Sequence, residues 1–283
     1  MIKKKIEKDY NKKIQRLIKL NKYYYEHNNP IVDDKEYDAL KKDILDLESK
    51  YSNLKSKNSP SLIVGFKPSK NFKKVSHRVP MLSLANAFDQ DDLNNFEKKI
   101  MNYLNQKDNL EIEYSAEPKI DGISASLSYA NGNFVTGLSR GDGKEGEDIT
   151  ENLKTISDIP KKISSKDFPN DIEIRGEIFI QNEDFKKLSN KFANPRNAAS
   201  GSLRQKNPLE TKKIPLKFIA YTFGYEKGLE ISKQSEFLKK LKEWGFKTNP
   251  LNKTIKGIKN LMKNYEEIEN KRGNLNFDID GVV

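Results

Sequence analysis

EIEYSAEPKIDGISASLSYANGNFVTGLS, residues 111–139, runs at a period of two along most of its length. Ile112, Tyr114 and Ala116 alternate with Glu111, Glu113 and Ser115; Ile123, Ala125, Leu127 and Tyr129 alternate with serines. Successive side chains of a strand point to opposite faces, so this alternation predicts half-buried strands. Asn131-Gly132 supplies the positive φ angles of a tight hairpin turn, and Phe134 to Leu138 is the returning strand. Ile172, Ile174, Gly176 and Ile178 form another alternating run, and Lys217–Tyr225 a further one. Helical spacing occurs around them at 91–104, 148–156, 182–192, 235–243 and 256–269. Strands in hairpins mixed with separate helices predict an α+β domain rich in antiparallel sheet, not a doubly wound one. No internal repeat is visible.

Upstream the period changes. Ile2, Ile6, Tyr10, Ile14, Leu17, Leu20 and Tyr24 recur in steps of three and four, one stripe of a helix over 2–26. Asn28-Asn29-Pro30 stops it. Asp33 followed by Glu36 matches a capping box, and a second helix runs on through Tyr37, Leu40, Ile44, Leu47 and Tyr51. Residues 1–70 read as a small helical subdomain closed by the turn-rich Lys57-Asn58-Ser59-Pro60, and residues 71–283 as the sheet-rich domain.

At 283 residues the chain has the length of about two domains. It has 52 Lys and Arg against 41 Asp and Glu, a formal charge of +11, with 14 Phe and 12 Tyr to fill a core. It has no cysteine, which excludes disulfides, cysteine catalysis and thiolate metal sites, and with only His27 and His77 it excludes a histidine-rich metal site. No apolar run approaches the roughly 20 residues of a membrane helix. The start, Met-Ile-Lys-Lys-Lys-Ile-Glu-Lys, lacks the apolar stretch of a secretory signal. A soluble cytoplasmic protein with no membrane partner is expected. The basic balance suits a polyanion, although abundant lysine alone accounts for it equally well.

Three segments carry candidate chemistry. Glu117-Pro118-Lys119-Ile120-Asp121-Gly122 lies between two strands. Its lysine amine is a nucleophile when deprotonated, and Gly122 permits close backbone approach. Ser139-Arg140-Gly141-Asp142-Gly143-Lys144 is a glycine-rich loop with Arg140 as an anion partner. Glu177 interrupts an apolar strand, where a carboxylate needs a hydroxyl, amine or hydrated-metal partner.

Met81-Leu82-Ser83-Leu84, Glu117-x-Lys119-x-Asp121-Gly122, Arg140-Gly141-Asp142-Gly143, Arg175-Gly176-Glu177 and Asp280-Gly281-Val282-Val283, taken in order, resemble the covalent nucleotidyltransferases. The fourteen residues Phe192–Gln205, FANPRNAASGSLRQ, narrow the resemblance to the bacterial NAD-dependent DNA ligases, over essentially the whole chain. The resemblance implies a nucleotidyltransferase (ATP-grasp-like) adenylation domain behind a subdomain that binds nicotinamide mononucleotide. It implies that Lys119 takes AMP from NAD, which passes to the 5′-phosphate of nicked double-stranded DNA, with Mg²⁺ assisting. Glu117 would meet the adenine amino group, Tyr221 would stack on the ring, and Ser83 and Leu84 would line the pocket. Arg140 and Glu177 would contact the ribose and phosphate. Tyr24, Tyr25, Asp34, Tyr37 and Asp38 would hold the nicotinamide half, and Arg196 and Arg204 would face DNA phosphates.

Two departures accompany it. Asn276 stands where the family usually has proline, and the sequence ends at Val283, before a lysine that the family places next to contact the α-phosphate. A slightly shortened adenylation domain is therefore expected, acting as a monomer. The alternative is a catalytically impaired fragment that only binds NAD or DNA.

Overall fold

The computed structural model describes residues 2–25, 31, 32, 34–55, 59, 72–105 and 111–283. In chain order its elements are α1 (Ile2–Tyr25), α2 (Asp34–Lys50), β1 (Lys74–Ser76), α3 (Gln90–Tyr103), β2 (Glu113–Ala116), β3 (Pro118–Ile120), β4 (Ile123–Ala130), β5 (Asn133–Ser139), β6 (Glu145–Glu147), α4 (Thr150–Leu153), β7 (Asp171–Ile180), α5 (Asn182–Phe185), α6 (Pro195–Leu203), α7 (Pro208–Lys212), β8 (Leu216–Glu226), α8 (Gln234–Glu243), β9 (Lys253–Lys256), α9 (Ile258–Lys271) and β10 (Ile279–Val282). They form two compact units, one of Met1–Leu82 with Arg140–Glu147, the other of Ser83–Ser139 with Asp148–Val283. The expected boundary at residue 70, the Asn28–Pro30 stop, the Asp33 cap and most of the Lys57–Pro60 turn lie outside the described residues.

In the first unit α1 and α2 bury one stripe each. Tyr10, Ile14 and Leu17 pack on Ile44, with Tyr37, Leu40, Leu47 and Leu54 around them. Tyr10 and Ser59 donate to the two oxygens of the buried Glu48, each at 2.8 Å, so its charge is compensated inside the contact. Lys13–Asp43 at 2.6 Å and an Arg16–Glu36 ion pair link the exposed edges. The same unit holds the short pair β1–β6, with Val75 opposite Gly146. The preceding loop closes on itself: the Asp142 carboxylate accepts from the amides of Lys144 and Glu145 at 2.9 and 2.8 Å. Gly141 is obligatory there, since at φ +57° a Cβ would stand 1.9 Å from the Glu145 carbonyl.

The second unit is built on an antiparallel sheet of order β5-β4-β7-β8. Asn131 and Gly132, at φ +49° and +74°, make the β4–β5 hairpin that the sequence predicts. Ala125, Leu127, Ile172, Ile174, Ile178, Phe218 and Ala220 are fully buried along the sheet. An aromatic cluster continues this core. Tyr129 meets Phe168 and Phe246 edge-on at 5.5 and 5.7 Å, and Trp244 does the same against Phe168 at 4.9 Å. Two further antiparallel pairs, β2–β9 and β3–β10, complete the strands of this unit among the described residues. The outcome is mixed helix and antiparallel sheet, as the sequence predicts.

Two predicted helices are much shorter than their apolar spacing suggests. Of 148–156 only Thr150–Leu153 is helical. Asp148 Oδ1 accepts from the Thr150 amide and hydroxyl at 3.1 and 2.6 Å, and Thr150 Oγ1 accepts from the Gly137 amide at 2.9 Å. The start is thereby tied to β5, and Ile149, Leu153, Ile156 and Ile159 are buried by turns instead. Of 182–192 only Asn182–Phe185 is helical; beyond it the amides of Lys187, Leu188 and Lys191 bond the carbonyls three residues back, so the chain continues in tight turns.

Candidate active site

Lys119 is the middle residue of β3. Pro118 and Ile120 are buried, so strand alternation turns Lys119 outward, where its side chain is 48% exposed. Ile120 is fixed from below by Phe179, Ile219 and Phe277. β10 runs antiparallel beside it with a register irregularity between Ile279 and Gly281, which sets Asp280 out of the ladder. Its Oδ2 accepts from Lys119 Nζ at 2.5 Å. β10 is itself pinned: the amides of Glu117 and Val283 exchange hydrogen bonds with each other's carbonyls at 2.8 Å, and Asp121 N donates to Asp278 O at 2.9 Å. Asn182 adds bonds from its Nδ2 to the Leu275 carbonyl and the Asp278 carboxylate, at 3.3 and 3.1 Å. Asn276, the family departure, serves here as an acceptor, its Oδ1 taking the Glu183 amide at 3.1 Å.

Glu177 lies on β7 opposite Ser124, whose hydroxyl donates to it at 2.8 Å. Burial pushes its carboxyl up to about 7, with Arg196, the Ser124 bond and Lys119 pulling down and Asp280 pushing further up. Arg196 occupies the first turn of α6. Asn194 caps that helix, accepting from the Asn197 amide at 2.7 Å, and Pro195 follows the cap. Ala198, Ala199 and Leu203 are buried along the helix, and Arg196 NH1 donates to Asp121 Oδ1 at 2.5 Å. Asp280, Glu177, Asp121 and Arg196 thus form one constellation of charges about Lys119.

Glu117 is a neighbouring, half-buried acid. Ser115 Oγ and Gln234 Nε2 donate to its Oε1 at 3.1 and 2.8 Å, and Asn252 Nδ2 to its Oε2 at 3.3 Å. Burial raises its pKa, partly offset by the Gln234 and Ser115 bonds. Tyr221, on β8, is part-exposed, and its carbonyl accepts from the same Gln234 Nε2 at 2.7 Å.

Ser83 and Leu84 lie in an exposed stretch ahead of α3. Arg140 belongs to the first unit, where His77 Nε2 bonds its carbonyl at 3.0 Å and its own Nε donates to the Met81 carbonyl at 3.4 Å. Tyr37 packs on the α1–α2 core and donates to Asn21 Oδ1 at 2.8 Å, and Asp38 is half-buried on the same helix. The side chains of Tyr24, Tyr25 and Asp34 lie outside the described residues. Arg204 caps the C-terminus of α6, and the turn after it is held by Asn152, which donates to the Gln205 carbonyl and to Thr211 Oγ1, both at 2.8 Å. Sequence reasoning assigns no role to Asp280, Asp121, Gln234 or Asn252. Gln234 lies 117 residues from Glu117, and no local signal joins them.

Among the described residues no group of three or more Asp, Glu or His side chains converges to hold a metal ion. Those residues therefore offer no protein cage for the Mg²⁺ implied by the resemblance. Among the same residues no helix is long and apolar enough to cross a membrane.

A covalent nucleotidyltransferase site is what this lysine between acids, with a half-buried acid beside a tyrosine-bearing strand, has the residues to form. The family model for the NAD-dependent DNA ligase adenylation domain matches residues 69–283, and that for the DNA ligase-like N-terminal NAD⁺-binding domain matches residues 3–65. The chain belongs to the NAD-dependent DNA ligase family. It is 65% identical over 280 residues to a DNA ligase of Pelagibacter ubique, covering 99% of this chain and 41% of that protein. DNA ligases of Parvibaculum lavamentivorans and Paracoccus denitrificans are 45% and 40% identical, covering 94% and 99% of this chain and 38% and 37% of their own length. The chain thus spans about two fifths of the length of these curated relatives.

Proposed function

We propose that this chain forms a covalent lysine–AMP adduct from NAD and, within a longer ligase, passes that AMP to the 5′-phosphate of nicked DNA in the cytoplasm. Lys119 Nζ attacks the adenylyl phosphorus, a nitrogen–phosphorus bond forms, and the bond to the nicotinamide mononucleotide phosphate breaks. The mononucleotide leaves with its phosphate, and the lysine proton passes to Asp280. The observation that carries this reading is the 2.5 Å contact between Lys119 and Asp280, beside a carboxyl pushed up to about 7. Together they give a lysine an immediate proton acceptor and a neighbour able to change charge near neutrality.

Glu117 and Tyr221 receive the adenine, with Ser83 and Leu84 along its pocket, while Arg140 and Glu177 serve the ribose and phosphate. Tyr24, Tyr25, Asp34, Tyr37 and Asp38 hold the nicotinamide half, a role that suits aromatics and carboxylates facing a cationic ring. Arg196 and Arg204 meet DNA phosphate. The sheet-rich part is an ATP-grasp-like nucleotidyltransferase domain. A boundary near residue 70 is supported by family matches that end at 65 and resume at 69.

The test is intact mass after incubation with NAD: one AMP is added to the chain, and Lys119→Ala adds none. Lys119→Arg fails equally, because a guanidinium does not deprotonate. Labelling of Lys119→Ala, or labelling by ATP as strong as by NAD, overturns the assignment.

A further inference from the structure

The amide of Gln234 joins two residues that the proposed function places at the adenine. Its Nε2 donates to Glu117 Oε1 at 2.8 Å and to the Tyr221 carbonyl at 2.7 Å. The opposite amide orientation would face an oxygen toward two acceptors, so only this one is satisfied. Asn252 Nδ2 approaches the other Glu117 oxygen at 3.3 Å, and Ser115 Oγ donates at 3.1 Å. These donors come from the start of α8, the turn before β9 and the end of β2, three separate elements converging on one carboxylate.

We propose that Gln234 and Asn252 are positioning residues that set the base selectivity of the site by holding Glu117 as a pure acceptor. The inference rests on the reading that Glu117 meets the adenine amino group. A carboxylate offers about four acceptor positions. The three protein donors occupy three and leave one, directed by the other bonds, for an exocyclic amine. Burial works against the ionised form of Glu117, and the Gln234 and Ser115 hydrogen bonds favour it. Without them a protonated or rotated Glu117 donates to a carbonyl oxygen and tolerates a 6-oxopurine. Gln234 also ties the acid to the strand bearing Tyr221, so the hydrogen-bonding edge and the stacking face of the site move together.

The experiment compares NAD with nicotinamide hypoxanthine dinucleotide, which carries an oxygen where adenine carries its amine. Both the rate of covalent nucleotidyl addition and the Kd by titration calorimetry are measured on the 283-residue chain. The parent chain prefers NAD by at least about a hundredfold, as sites built around a substrate N–H do. Gln234→Leu narrows that ratio by about tenfold, the scale of one hydrogen bond to a charged group, and Asn252→Ala narrows it in the same direction. A purely structural role lowers binding of both dinucleotides alike and leaves the ratio untouched. If Gln234→Leu does not fold, Asn252→Ala carries the test from a different element. Parent-like ratios in the folded variants overturn the proposal and leave Glu117 as the adenine acceptor. A parent chain that does not distinguish the two dinucleotides overturns the Glu117 reading, and this proposal with it.

Discussion

Gly122 follows Asp121 at the point where β4 begins, and a Cβ there would stand 2.3 Å from the Ile178 carbonyl oxygen and 2.8 Å from Glu177 Cγ. The backbone of β7 cannot give way without disturbing its pairing with both neighbours. Gly122→Ala should therefore cost about 1–3 kcal/mol, the usual range for forcing extra atoms into a packed site. Thermal denaturation would register a Tm several degrees lower, and an unchanged Tm would mean that β7 moves freely. Glu177 gives a second expectation at this scale. Its ordinary value is 4.5 and its folded value about 7. Between those values the folded protein keeps a proton that the unfolded chain has lost, so the Glu177 contribution is full below pH 4.5 and disappears as pH rises toward 7. Glu177→Gln removes that dependence. Urea denaturation at pH 5 and pH 8 should show the variant gaining stability relative to the parent at the higher pH, and a constant difference would refute the raised carboxyl. The lysine, its flanking glycine and the interrupted strand at Glu177 were legible in the sequence. That Asp280 and Arg196 would meet them, and Gln234 would hold Glu117, was not, because each arrives from an element distant in sequence.

The elements divide by length. The long alternating runs match β4, β5, β7 and β8, and the three-and-four spacing matches α1, α2, α3, α8 and most of α9, since each buries enough of its own apolar surface to show a period. β1, β3, β6, β9 and β10 have three or four residues apiece, too few for any period, and exist because a partner strand is present. β10 is the case with a consequence, for it brings Asp280 to Lys119 and is held at its entry by Asn182. Asn182→Ala removes the side-chain bonds to the Leu275 carbonyl and the Asp278 carboxylate. At roughly 1 kcal/mol for each bond, opening of this strand becomes about tenfold or more easier. Hydrogen exchange should then quicken at the amides of Asp121 and Val283, which bond across β3–β10, while β4 and β7 keep their protection. Exchange unchanged at those two amides would show that the ladder alone holds β10.

At the scale of the whole molecule the informative quantity is charge. The formal surplus of +11 is neutral as to fold but specific as to the physics of a polyanion: cations that neutralise phosphates release condensed counterions, and affinity falls as salt rises. Duplex DNA should accordingly bind this chain non-specifically with a Kd of about 10⁻⁴ to 10⁻⁶ M at physiological salt, with log K falling linearly in log salt. If Arg204 meets a phosphate, Arg204→Ala lowers the magnitude of that slope by about one. Arg196 differs, because its guanidinium already bonds Asp121 at 2.5 Å. A phosphate must share that cation, so the counterion count changes by less than one, while Arg196→Ala leaves the Asp121 carboxylate uncompensated beside Lys119. The expected result is a smaller slope change than for Arg204→Ala together with a larger loss of covalent AMP addition. Fluorescence anisotropy across a salt series gives the slopes, and intact mass gives the adduct. Equal slope changes with equal adduct yields would mean that Arg196 acts as an ordinary phosphate contact and that its bond to Asp121 has no part in the chemistry of Lys119.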